Sequence, residues 1–217
     1  MQVFDHKSKE YREKWEVLGS GRWNGAYYYS REIVENIIPR VKTDRNWVTV
    51  NVEGCAFDHS LVFIHNNLHP EHYDWLQDYT DLVLVCGVPE TCDKVAHLGK
   101  AIYLPLSVDV GYVKQFKLKE RDLDKAFFGR RSKALACDFE PDVDIWYGME
   151  RRNMLQKMAH YKQVYAVGRC AIEAKILGAK VLPYDPRYPK PGLWKVLDNK
   201  TAAKKLQAML DEIDGEQ

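Results

Sequence analysis

Glu173 stands four residues after Arg169 and five after Gly168, between two short apolar runs. A glycine at the end of a strand lets the backbone turn sharply. A helix that starts there points its positive amino end back at the turn. The segment reads as a strand over 165–167, a turn at Gly168, a helix over 170–177 with Glu173 in its first turn, a closing Gly178 and a second strand from 180. Such a unit offers a ligand the space outside the carboxyl ends of parallel strands. The helix start would receive an anion, and Glu173 could accept from a sugar hydroxyl. Arg169 would contact phosphate or pair with Glu173. In the plainest case, Glu173 only offsets the helix dipole.

Arg130, Arg131 and Lys133 follow the apolar run 126–128. The planar fork of arginine matches phosphate oxygens two at a time, so Arg130 and Lys133 are candidate phosphate ligands, with a solvated charge cluster as the alternative. A glycine-rich stretch, 19–25, precedes a tyrosine run. There Arg22 and Asn24 could hold a sugar or base; otherwise the stretch is a solvated turn. His59, His65, His69 and His72 fall within fourteen residues. A metal site needs ligands on one face, and this spacing allows convergence without forcing it, so no metal is assigned. His65 ends a strand and is the candidate general base. Asp58 and Asp109 are comparable carboxylates, Asp109 reading as structural.

The elements that must position these groups alternate between strand and helix, which argues for α/β layers with parallel sheets. Short, almost wholly apolar runs at 47–52, 60–64, 82–86 and 101–104 suit strands buried on both faces. Helices are expected over 71–78, 89–98 and 30–38, the last with Ser30 as its cap and Pro39 as its end. Further on, strands are expected over 125–128, 143–147, 164–167 and 180–183, with helices over 150–160 and 201–213. The polar stretch 107–124 is the one linker, so two domains are expected, 1–106 and 107–217.

The run Gly168-Arg-x-Ala-Ile-Glu-Ala-x-x-x-Gly-x-x-Val181 resembles the nucleotide-sugar signature of glycosyltransferases of the two-domain GT-B fold. Residues 104–109 resemble the crossing between the two domains of that family, and 126–133 resemble the opening strand of its second domain. The resemblance implies two small Rossmann-like parallel-sheet domains facing a cleft. It implies a nucleotide diphosphate sugar as donor substrate, with no separate cofactor. Glu173 would bind the ribose, and Gly168, Arg169, Arg130 and Lys133 would lie at the diphosphate. Residues 1–106 would form the acceptor side, where the early glycine loop carries Arg22 and Asn24. The acceptor would be a carbohydrate or, as a weaker alternative, a nucleic-acid base. Tyr165 stands where the fuller family signature has a second glutamate, and the chain is shorter than typical members. Both departures favour an alternative: a non-catalytic nucleotide-binding or partner-binding protein on the same scaffold.

Composition bounds the rest. The chain has 217 residues with Lys+Arg 32 against Asp+Glu 31, a formal net charge of +1 that argues against a general polyanion binder. No apolar run reaches the roughly 18 residues of a membrane span, and the first residues do not read as a signal peptide. Five scattered cysteines suit reduced thiols, and a cytoplasmic location is expected.

Overall fold

The computed structural model describes residues 1–17, 25–65, 69–130, 142–183 and 189–215. The chain is α/β and forms two compact units, Met1–Ser107 with Asp198–Gln217, and Val108–Leu197.

In the first unit five parallel strands lie side by side in chain order: β1 (Val3–Phe4), β2 (Asn46–Val48), β3 (Ser60–Ile64), β4 (Leu82–Cys86) and β5 (Lys100–Tyr103). Every residue of β3 and β4 is buried, as expected of strands covered on both faces. Side chains alternate between faces. Val62, Ile64, Leu82, Leu84 and Cys86 join Tyr73, Leu76 and Val95 in one cluster. Leu61, Phe63, Val83 and Val85 take the other parity, where Trp47 stacks on Phe63 at 6.0 Å. Each such large side chain, fully withdrawn from water, contributes about 1.5–3 kcal/mol.

Helices α1 (Lys9–Val17) and α2 (Gly25–Glu32) lie between β1 and β2. A π-helical stretch, Ile33–Ile37, and a 3-10 turn, Ile38–Arg40, continue α2. The expected start at Ser30 is therefore wrong. The helix already runs over Gly25–Glu32, and Ser30 sits buried inside it, accepting from the His6 N–H (3.1 Å) and bonding the Thr49 hydroxyl (2.7 Å). A serine within a helix favours the fold here because its hydroxyl has partners just beyond the ends of β1 and β2. The expected helix 71–78 is a 3-10 helix, Pro70–Asp78, and α3 (Pro89–Val95) follows β4.

The C-terminal helix Asn199–Gly215 packs on this first unit, contrary to the expectation that 107–217 is one domain. Its apolar stripe, Leu206 and Leu210, suits any sheet, and polar contacts decide which. Gln207 bonds the backbone N–H (2.6 Å) and C=O (3.0 Å) of Lys42, and Asp214 accepts from the fully buried Arg45 (2.8 Å).

The second unit carries α4 (Val110–Lys114), β6 (Leu123–Gly129), β7 (Asp144–Tyr147), α5 (Arg151–Met158), β8 (Tyr161–Tyr165), α6 (Arg169–Leu177) and β9 (Lys180–Leu182). Its sheet is parallel with order β7-β6-β8-β9. Asp109 caps α4 by accepting from the Tyr112 N–H (2.8 Å), the structural role its position suggested. Strand β8 starts and ends earlier than expected, so Ala166 and Val167 link it to the turn. Gly178 closes α6 at φ +91° in a Schellman arrangement, with N–H bonds from Gly178 to Lys175 and from Ala179 to Ala174, both 2.9 Å. Among the described residues, no helix is long and apolar enough to cross a membrane.

Candidate functional site

The two sheets differ in how the chain moves through them. In the first, each new strand joins the far side of its predecessor and the direction never reverses. In the second, β6 leads outward to β7 on one side, while the chain returns to lay β8 on the other side of β6 and continues to β9. Neighbouring strands whose connections depart in opposite directions leave a crevice outside their carboxyl ends, the common ligand position in open α/β sheets. That point lies between β6 and β8. Phe127 pairs with Tyr165, the last residue of β8; from there β6 runs on to Gly129 and Arg130 follows, while Ala166 and Val167 lead from β8 to Gly168.

Gly168 holds φ +59° and ψ −134°, a conformation open in practice to glycine, and it is the N-cap of α6 with no side chain to cap the first turn. First-turn amides lack intrahelical acceptors, and the dipole makes this end positive. Arg130 is exposed at the end of β6. A glycine turn, a helix start and an arginine thus share the carboxyl end of two adjacent strands, an arrangement suited to an anion.

Glu173 lies deeper than expected. The helix begins at Arg169, which puts Glu173 in the second turn, and the residue is fully buried. Its Oε1 accepts from Arg169 Nε (2.9 Å) and from Arg151 Nε (3.1 Å), both guanidinium groups being largely buried as well. A carboxylate withdrawn from water costs several kcal/mol unless paired in this way. Oε2 is buried without a hydrogen-bond partner among the described residues. Arg169 pairs with Glu173, one of the two roles open to it.

Arg151 is not among the residues that the sequence singles out. It stands 22 positions before Glu173 on a different helix, beyond any i,i+4 signal, and its guanidinium also lies over the Tyr112 ring at 5.1 Å. The carboxylate thereby ties α5 to α6, while Tyr112 adds α4 to the same cluster. Nearby, Lys175 donates to the Pro191 and Trp194 carbonyls (2.5 and 2.6 Å), and burial lowers its pKa.

Three candidates lie outside the described residues: Lys133, Arg22 and Asn24. His65 sits at the carboxyl end of β3, half-buried, with no strand reversal beside it. Its Nε2 donates to the Thr49 carbonyl (2.6 Å), its backbone N–H meets Tyr73 Oη (3.0 Å), and its ring stands edge-on to Tyr29. A carbonyl only accepts, so Nε2 carries the proton and any base chemistry falls to Nδ1. Asp58 accepts from the Thr80 N–H (2.7 Å) and hydroxyl (3.1 Å) just before β3, far from the carboxyl ends of the strands. Cys55, Cys86, Cys92 and Cys170 are in no disulfide; burial pushes Cys86 well up and Cys92 up in pKa, away from thiolate reactivity. A shallow groove lined by Leu118, Arg121, Asp122 and His160 lies at the amino ends of β6 and β8, opposite the candidate site.

Comparison of the chain with protein-family models, with curated proteins and with solved structures returns no match.

Proposed function

We propose that the chain is a compact glycosyltransferase of the GT-B kind, binding a nucleotide diphosphate sugar at the carboxyl ends of β6 and β8. The observation that supports this reading most is the reversal of strand order there, with Gly168 and the start of α6 beside it. On this reading the diphosphate accepts from first-turn amides of α6 and from Arg130. The bond between the anomeric carbon and the phosphate oxygen breaks with its electron pair going to the diphosphate. The acceptor oxygen bonds the same carbon and loses its proton. Helix dipole and guanidinium charge oppose the negative charge that builds on the leaving oxygen. Glu173 enters chiefly as the group that fixes Arg169 and Arg151, and a ribose hydroxyl would have only Oε2 to bond. The acceptor proton is released to solvent.

A second reading, a protein that holds a nucleotide without turning it over, is favoured by the engagement of Glu173 with two arginines and by Tyr165 at the place of the second family glutamate. One experiment separates the two. The intact protein is screened by thermal shift against nucleoside diphosphates and their sugar conjugates, and each stabilising conjugate is then followed for release of the diphosphate with and without sugar acceptors. Stabilisation by one diphosphate nucleotide, weakened by Arg130→Ala, with release of product, supports transfer. Stabilisation without release supports the holding protein. Absence of any stabilisation sinks both.

A further inference from the structure

A different cluster, in the first unit and independent of the reading above, has the chemistry of a metal site. His69, Glu71 and His72 each offer one ligand atom, and the three atoms lie within 4.8 Å of one another on the exposed surface. The backbone makes this arrangement local and reproducible. A proline opens the 3-10 helix Pro70–Asp78, His69 is its N-cap, and the His72 N–H bonds the His69 carbonyl (3.2 Å). Positions three apart eclipse in a 3-10 helix. His69 and His72 are such a pair, and their rings stack 5.2 Å apart at 25°. Glu71 closes the group, with Oε1 3.1 Å from His69 Nδ1. Ligand atoms around a tetrahedral ion with bonds of about 2.1 Å stand about 3.4 Å apart, so one side of the triangle is already near that spacing.

The other histidines have different partners. His59 lies between Asp81 (2.5 Å) and Asp44 (3.0 Å), His65 donates to Thr49, His97 faces Asp74 (3.6 Å), His160 meets Asp122 (2.8 Å) and His6 is buried against Ser30. Only His69 and His72 bring two imidazoles and a carboxylate together among the described residues.

We infer that His69, Glu71 and His72 form a surface site for one divalent transition-metal ion. Two imidazoles and one carboxylate suit zinc, copper, nickel or cobalt, whereas calcium and magnesium call for oxygen ligands. Three protein ligands leave at least one coordination position for water or for a group of another molecule.

The test uses the intact protein and cobalt(II), whose visible absorption reports coordination and whose sulfur charge-transfer band would betray binding at the cysteines. The expected result is one equivalent of cobalt bound at micromolar affinity with a spectrum lacking that band. His69→Ala and His72→Ala each weaken binding by about tenfold or more, at least the cost seen on losing even an outer-shell partner of a metal. Glu71→Gln weakens it less, and His160→Ala leaves it unchanged. All four positions are solvent-facing, and unchanged circular dichroism confirms folding of each variant. Binding that survives in the His69 and His72 variants, a thiolate band, or no binding below millimolar cobalt overturns the site.

Discussion

At the residue scale the central fact is a carboxylate shared by two arginines. Removing one partner from a buried ion pair costs about 3–5 kcal/mol, because the remaining charge stays buried without its counterpart. Glu173→Ala strips the counter-charge from Arg151 and Arg169 together, so a loss of that order is expected in urea denaturation. A neutral Glu173→Ala would mean that the carboxylate does not organise this cluster. Gly168 gives a separate test. A Cβ there meets nothing within 4 Å, so space does not limit Gly168→Ala, while φ +59° does. The expected cost is about 1–3 kcal/mol, the strain of holding an alanine in that region. The pair Arg169–Glu173 was legible in the sequence because four residues on a helix bring side chains together. Arg151 was not, since tertiary packing alone joins it to Glu173. The depth of Glu173 was missed because a helix start one residue earlier carries it out of the first turn.

At the element scale the amino ends of β3 and β4 carry a charge cluster that couples stability to pH. His59 bridges Asp81 and Asp44, and Arg45 joins Asp81 to Asp214. Its hydrogen bond to Asp81, then that to Asp44, hold the His59 pKa above its ordinary value. The folded protein therefore binds this proton more tightly than the unfolded chain. The contribution is full below about pH 6.5 and is lost as pH rises through the raised folded value. Buried His6 acts with the opposite sign: burial lowers its pKa, and its contribution is lost as pH falls below about 6.5. The difference in stability between the native protein and His59→Asn isolates the first effect. It should be present at acid pH and shrink above neutrality; a difference that grows with pH would refute the bridge. Buried strands such as 60–64 and 82–86 were readable to the residue because unbroken apolar runs have few other uses. The two-residue β1 was not, being too short to show any period. The 3-10 and π stretches were also missed, since side-chain pattern does not report which carbonyl each N–H selects.

At the scale of the whole molecule, the chain returns at its end to the unit where it began. The stripe of Leu206 and Leu210 was visible, but not its destination, which buried Arg45 and the Lys42 backbone decide. Leu206→Ala or Leu210→Ala should cost about 2–5 kcal/mol. Hydrogen exchange should locate the lost protection within 1–107 and 198–217 and leave 108–197 unchanged; loss spread over both units would contradict the division. The first sheet has no reversal of strand order and the second has one, which concentrates the functional claim in 108–197. The most direct test of that claim is a titration of the isotope-labelled intact protein with nucleoside diphosphates, followed by amide NMR. The expected result is saturable shifts at Gly129, Arg130 and Gly168 to Ala171 with one of them. Shifts confined to other segments, or none at millimolar ligand, would contradict it.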